Sequence, residues 1–310
     1  MVRSWKALAL ACAALVGSVA SAAAQEKMLL GYTAVADYVG AFVAADQGLF
    51  KKHGLDVELQ LVALNSTLPA AVQSNSIQIE GPTPSVFLQA VDGGLDHVVI
   101  SGNTELDPTS KAYGVIAREA AGIRTAKDFE GKKVGVPGIG AFLQVIFRKW
   151  LADQGADASK VQFVEVSFPT MNDVLKAGTV DAVVTGEPVM ARMIAAGTGQ
   201  LVTNMASGLP ARLPVIFFAA TRAFVTAHPK LPENFRAALA DARDAIDKDP
   251  EMARAAIAKY TKLPPAAVAG IPMPKTVPDI TAKQLQDWVD IMSAQKMLET
   301  KVDTSKLIAK

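Results

Sequence analysis

The sequence predicts an α/β protein built as two lobes around a hinged cleft. Short apolar strands alternate with amphipathic helical stretches along most of the chain. The apolar runs Tyr113–Ala117 and Val215–Ala220 bracket a middle segment of similar β-α character. A chain that leaves one lobe, builds a second and returns must cross twice, and these runs are the natural crossings. Third, Asp128–Phe142 reads as strand, glycine-rich turn and helix, which aims backbone N–H groups beyond a strand's carboxyl end.

Taken in order, Met28–Tyr32 reads as a strand and Val39–Phe50 as a helix with Phe42, Val43, Leu49 and Phe50 on its apolar side. Gly54 stops the Lys51-Lys52-His53 tail, where the helix dipole favours cations. Leu55–Val62 alternates as a strand. Leu68–Gln73, Ile77–Ile79, Ser85–Val91 and His97–Ser101 continue the rhythm, which predicts a parallel sheet covered by helices.

The second lobe opens with Tyr113–Ala117. Lys133–Val136 is the next strand, Pro137–Gly140 the turn, and Phe142, Val145, Ile146 and Trp150 share a helix face. Val161–Val166, Met171–Ala177, Val180–Thr185, a helix from Pro188 to Ala196, and Leu201–Thr203 follow. Beyond Val215–Ala220 the chain turns helical at Asn234–Ile246, Pro250–Tyr260 and Lys283–Leu298. Thr281 and Gln284 form a T-x-x-Q capping box, and Leu285, Trp288, Val289 and Met292 line one face of the last helix. The proline-rich stretch 263–278 reads as a connector.

Of the 310 residues half are apolar and 20% are charged, which excludes a disordered chain. Lys plus Arg number 31 against 30 Asp plus Glu, so no global field suits nucleic acid. Arg3 and Lys6 precede an uncharged apolar run, Ala7–Val19, and then Ala22-Ala23-Ala24. That is the pattern of a cleavable signal peptide over 1–24, with a mature start at Gln25 and export as the expectation. The single cysteine, Cys12, lies inside it, so the mature chain relies on its core rather than on disulfides.

Reactive constellations are missing. No H-E-x-x-H, G-x-S-x-G or C-x-x-C occurs, and Gly135, Gly138 and Gly140 do not make G-x-G-x-x-G. His53 and His228 read as surface residues at helix ends, and His97 as a satisfied structural histidine. Neither a metal nor a cofactor is expected. Glu80, Glu105, Asp107, Glu165 and Glu187 leave one enzyme alternative open, a secreted cleft hydrolase with paired carboxylates.

Four motifs occur in a telling order: Gly48-Leu-Phe-Lys-Lys-His-Gly-Leu-Asp-Val-Glu58, Asp128-Phe-Glu-Gly-Lys-Lys-Val-Gly-Val-Pro-Gly138, Val180-Asp-Ala-Val-Val-Thr-Gly-Glu-Pro188 and Ala220-Thr-Arg-Ala-Phe224. Together they resemble the nitrate/sulfonate/taurine-type substrate-binding proteins of ABC importers, from about Leu29 to the C-terminal helices. The resemblance implies a type II periplasmic-binding-protein fold and a non-enzymatic, monomeric receptor in the periplasm. Such a receptor captures a small polar or anionic organic molecule, a sulfonate, carboxylate or related compound, and hands it to a membrane permease.

The resemblance also places the ligand between the lobes. The matching positions are Tyr38 and Gly40, Asn65, Ser66 and Thr67, Thr83 and Pro84, Gly138, Gly140, Ala141 and Phe142, and Glu187. Asn, Ser and Thr beside helix starts would supply hydrogen bonds, and Tyr38 and Phe142 apolar walls. N-capping is the simpler reading for Ser66, Thr67 and Thr83, and lobe core for Tyr38 and Phe142. Ala141 is expected in the first turn of its helix with its N–H toward the ligand. Ser74-Asn-Ser-Ile-Gln-Ile-Glu-Gly81 departs from the pattern, and Glu80 is expected to bring negative charge toward the cleft. The expected lobes are 25–111 with 221–310, and 112–220.

Overall fold

The computed structural model describes residues 26–310. The proposed signal segment, Cys12 and Gln25 lie outside the described residues.

Eleven strands are described: β1 Lys27–Tyr32, β2 Asp56–Leu61, β3 Ile79–Glu80, β4 His97–Glu105, β5 Tyr113–Ala117, β6 Lys133–Val136, β7 Gln162–Glu165, β8 Ala182–Gly186, β9 Gln200–Asn204, β10 Pro214–Thr221 and β11 Lys275–Thr276. They form two sheets. One has six strands in the order β11-β4-β10-β3-β1-β2, and the other has five in the order β7-β6-β8-β5-β9.

Both sheets are mixed, which corrects the expectation of parallel sheets. β1 runs parallel to β2 and β3, but β10 is antiparallel to β3 and β4. In the second sheet β6 is parallel to β7 and β8, while β5 is antiparallel to β8 and β9. Two of the reversed strands, β5 and β10, each follow a crossing between sheets, and the third is the two-residue edge strand β11, antiparallel to β4. A strand fed from the other lobe enters without a β-α-β crossover and has no reason to keep the parallel sense.

The crossings are therefore 106–112 and 205–213, the segments before β5 and β10, rather than those strands themselves. They lie side by side: Leu106 N–H donates to Leu213 O at 2.7 Å and Arg212 N–H to Leu106 O at 3.1 Å. Beside them the buried Glu105 carboxylate accepts from Arg212 Nε at 3.3 Å and pairs with Lys275.

The helix expected over Val39–Phe50 is two helices, Val39–Asp46 and Leu49–Lys52. Gly48 between them sits at φ 68°, a left-handed conformation that ends the first helix and starts the second. A helix at Arg222–Ala227, capped by Thr221 Oγ1 accepting from Phe224 N–H, was not apparent from apolar spacing. The capping box at Thr281 and Gln284 is present.

One continuous apolar core runs through both lobes. β4 and β10 carry buried residues over nearly their whole length because helices cover both faces of the first sheet at its centre. Trp288, on the helix Ala282–Ala294, is fully buried and donates its indole N–H to Pro214 O at 2.9 Å. Its ring meets Phe142 edge-on at 5.7 Å, and Gln295 Nε2 reaches Val145 O at 3.0 Å. The last long helix is thus seated on the Phe142 helix of the second lobe.

Candidate functional site

The carboxyl ends of β1, β2 and β3 face those of β6 and β7 across a seam between the sheets, where loops and helix starts meet. Five hydrogen bonds cross it. Tyr113 donates its phenol to Asp37 Oδ1 at 2.6 Å, and Ala36 N–H donates to Glu187 O at 3.1 Å. Asn65 N–H reaches Pro137 O at 3.3 Å, and Ser66 Oγ donates to Glu165 Oε1 at 2.6 Å. Phe142 N–H donates to Thr83 Oγ1 at 3.2 Å.

Inside the seam is a small cavity of about 30 Å³, lined by Thr33, Val35, Asp37, Asn65, Thr83 and Val215 from the first lobe and by Tyr113, Pro137, Phe142 and Phe168 from the second, among others. A cavity of that size holds a water or two, not an organic molecule. On the hinge side of Asp37 and Tyr113 lies a roomier pocket of about 340 Å³, which Glu187, Glu105, Asp107, Lys111 and Lys275 also line. A larger groove of about 530 Å³, lined by Gln73, Asn75, Asp96 and Phe224, belongs to the first lobe alone and is reached by no residue of the second.

The expected site residues divide. Asn65, Thr83, Ala141 and Phe142 line the seam cavity. Asn65 is the local organiser: its Oδ1 accepts from Thr83 N–H at 2.9 Å and from Thr83 Oγ1 at 3.1 Å, and its Nδ2 donates to Tyr38 Oη at 3.1 Å. Thr83 occupies the N-cap position of the helix that Pro84 opens, yet its hydroxyl does not cap. The hydroxyl is spent on Asn65 and on Phe142 across the seam. Ser66 and Gly138 sit together on the rim, and a Cβ on Gly138 would come within 3.1 Å of Ser66 N. Thr67 is exposed and bonds only its own turn, to Leu64 O at 2.9 Å.

Tyr38 and Gly40 are packing positions. Tyr38 is fully buried with its hydroxyl on Gly81 O, and its ring packs against Phe42 and Tyr32. A Cβ on Gly40 would collide with the Asn103 side chain. Phe142 serves both readings, lining the cavity while its ring meets Tyr113 at 5.0 Å. Glu187, joined to Pro188 by a cis peptide bond, lines the hinge-side pocket. Burial raises its pKa, and the bond from Ala191 N–H at 3.0 Å opposes that rise.

Two placements differ from expectation. Ala141 is the N-cap of the helix Phe142–Asp153, not a first-turn residue, and its N–H turns back to Gly138 O at 3.2 Å. The rest of the turn is equally occupied: Ile139 N–H donates to Glu165 Oε1 at 2.8 Å and Gly140 N–H to Gln144 Oε1 at 2.6 Å. Gly140 is at φ 75°, and a Cβ there would strike the Gln89 amide.

Glu80 does not face the cleft. It is completely buried in the first lobe, with Oε1 at 2.8 Å from His97 Nδ1. Burial raises its pKa, and the His97 bond opposes the rise. His97 Nε2 lies 3.4 Å from Gln73 Oε1, so the histidine is satisfied on both nitrogens.

The residue that sequence reasoning missed is Asp37. Only 5% exposed, it lines both the seam cavity and the hinge-side pocket. Burial pushes its pKa up to about 6, against the opposing bond from Tyr113. An acidic residue five positions past a predicted strand and directly before an aromatic was the available signal. Among the described residues no group of three or more His, Cys, Asp or Glu is arranged to hold a metal ion. No described helix is long and apolar enough to cross a membrane.

Residues 21–261 match the model of the NMT1-like family. A Brucella abortus protein whose name describes binding without a ligand is 25% identical over 239 residues, covering 76% of this chain and 71% of its own. The alkanesulfonate-binding protein SsuA of Xanthomonas axonopodis pv. citri, solved bound to MOPS, superposes with a TM-score of 0.76 at 21% identity over 93% of this chain and 98% of that one. The periplasmic nitrate-binding protein NrtA of Synechocystis PCC 6803 gives 0.75 at 17% identity, covering 91% and 84%. The shared architecture is the periplasmic-binding-protein fold.

Proposed function

The chain belongs to the NMT1-like family, and from that premise we propose that it is a periplasmic solute receptor of an ABC importer. It closes on a small polar organic molecule, a sulfonate, carboxylate or related compound, and delivers it to a membrane permease. Structural neighbours of the chain are sulfonate- and nitrate-binding proteins, which supports binding rather than catalysis. The carboxylates offered for hydrolysis have other employment: Glu80 is sequestered with His97, Glu105 is held by Arg212 and Lys275, and Glu165 accepts from Ser66 and Ile139.

The observation that carries the reading is the seam itself. Five hydrogen bonds join two sheets whose covalent link is two adjacent crossing segments, and they enclose polar groups of both lobes. Such a seam opens by rotation at the crossings and closes over a solute. We take the lobes as 26–111 with 214–310, and 112–213, because β10 pairs with β3 and β4 of the first sheet, so the return boundary lies before that strand rather than at 220. Asn65, Thr83, Ala141 and Phe142 would contact the solute, with Ser66, Gly138 and Glu187 at the rims. The protein would act as a monomer, exported by its N-terminal segment.

A thermal-shift screen against sulfonates, carboxylates, nitrate, amines and pyrimidines tests this. A solute present at 100 times its Kd adds about 2.7 kcal/mol of stability. The account expects at least one stabilising compound, recovered unchanged. A stabilising compound recovered as hydrolysis products would restore the enzyme alternative, and no stabiliser in any class would count against the receptor.

A further inference from the structure

We propose that Asp37 makes this cleft select a solute carrying a protonated nitrogen, a small organic ammonium or amidinium compound, rather than a simple anion. The inference rests on the receptor reading above and narrows it to a ligand class.

An anion needs free donors or positive charge inside the cleft. The glycine-rich turn before the Phe142 helix is where backbone N–H groups would cradle negative charge. Here those of Ile139, Gly140, Ala141 and Phe142 are bound to Glu165, Gln144, Gly138 and Thr83. One of these acceptors, Glu165, is itself a carboxylate standing at the rim. No lysine, arginine or histidine lines the seam cavity. A nitrate or sulfonate entering it would lose its hydration without meeting a compensating charge.

Asp37 offers the opposite. Its Oδ1 accepts from Tyr113, and no other described residue donates a hydrogen bond to its carboxylate. Apart from the backbone N–H of Asp37 itself, Tyr113 is thus the one described donor to a carboxylate that is 95% buried and borders both cavities. A buried carboxylate with so few donors and no cation beside it is stabilised most by a cationic donor, whose hydrogen bond is charge-assisted. The apolar walls, among them Val35, Phe142, Phe168 and Ile216, exclude water around that pair.

The charged groups on the hinge side do not cancel this field. Glu105 is already paired with Lys275 and Arg212, the Glu187 carboxylate accepts from Ala191, and Asp107 is held by Thr109, leaving Lys111 as the remaining cation of that pocket.

The test uses matched pairs differing by the amine: 2-aminoethanesulfonate with ethanesulfonate, β-alanine with propionate, and benzylamine with benzoate, with sodium nitrate as a further probe. Calorimetric titration at pH 7.5 should show an amine member binding at least tenfold tighter than its partner. Asp37→Asn, which keeps an acceptor for Tyr113, should lower that affinity at least tenfold while the melting temperature is not reduced. Should the variant fail to fold, the pair comparison on the unmodified protein still decides. Equal or tighter binding of nitrate or an amine-free partner overturns the proposal and leaves the receptor standing. Undiminished amine binding by the folded Asp37→Asn protein overturns it likewise. If no member of any pair binds, the amine assignment falls, and the wider thermal-shift screen alone decides whether the receptor reading falls with it.

Discussion

Tyr113 and Asp37 come from different lobes, and the 2.6 Å bond from the phenol to Oδ1 ties the start of β5 to the turn after β1. Burial pushes the Tyr113 hydroxyl well above its ordinary value, with the adjacent carboxylate acting the same way, so it stays a donor across the whole working pH range. The closed seam therefore contains a buried anion whose protein donor belongs to the opposite lobe. Tyr113→Phe removes that donor and should cost the closed form about 1.5–3 kcal/mol, the range for hydrogen bonds to charged groups. The expected readout is a ten- to hundredfold weaker affinity for the best stabilising solute, measured by calorimetry. Unchanged affinity would mean that the bond is incidental to closure.

The same carboxylate predicts a pH dependence of stability. Between its ordinary value of 3.8 and about 6, Asp37 is protonated in the folded state and ionised in the unfolded one. Folding then binds a proton, so this group's contribution falls as pH rises through that window and stays low above it. Asp37→Asn should remove the penalty. The variant should match the unmodified protein near pH 4 and exceed it above pH 6, by up to about 3 kcal/mol. Glu187 and Glu80, also raised by burial, titrate in both proteins and cancel in the difference. Melting curves from pH 4 to 8 check this, and an Asn variant less stable at pH 7.5 than the unmodified chain would refute it. A binding residue whose replacement stabilises the fold is the expected signature of a site kept for function.

Thr83 is the second cross-seam residue to probe. Thr83→Val preserves shape but removes the acceptor for Phe142 N–H and the donor to Asn65 Oδ1. The closed form should lose about 1–3 kcal/mol because a buried N–H is left unmade, whereas Thr83→Ser should restore most of it. Calorimetry on both variants separates a hydroxyl effect from a packing effect. Equal losses in Val and Ser would point to packing.

His97 tests the interior rather than the cleft. Its ring and Glu80 are each completely buried, and Glu80 Oε2 has no hydrogen-bond partner among the described residues. His97→Ala strands the carboxylate and should destabilise the protein by about 3–5 kcal/mol in chemical denaturation. Solute affinity of the folded variant should be unaffected, since neither residue lines the seam. A matching loss of affinity would return Glu80 to the binding site.

Much of this was legible in the residues and some was not, for physical reasons. Apolar periodicity locates most strands and long helices to within a few residues, because each must bury one face. It does not report strand direction, which is why β5 and β10 read as continuations of parallel sheets. Gly48 was legible as a glycine but not as the left-handed break that divides one helix into two. Motif positions led to Asn65, Thr83 and Phe142, which do line the seam. Glu80 was misread because which face its strand turns inward depends on His97, two strands away in the sheet and seventeen residues along the chain. Asp37 was missed because a single acid in a turn has no periodicity, and its meaning comes from Tyr113, seventy-six residues later.

Small-angle scattering on the chain with and without its strongest stabilising solute tests the central claim most directly. The described seam is closed around a cavity of about 30 Å³, too small for an organic molecule to enter without rotation at the crossings 106–112 and 205–213. The account predicts a larger radius of gyration for the free protein and a smaller one at saturating solute. An identical radius in both states, with binding verified in the same samples, would contradict a receptor that closes.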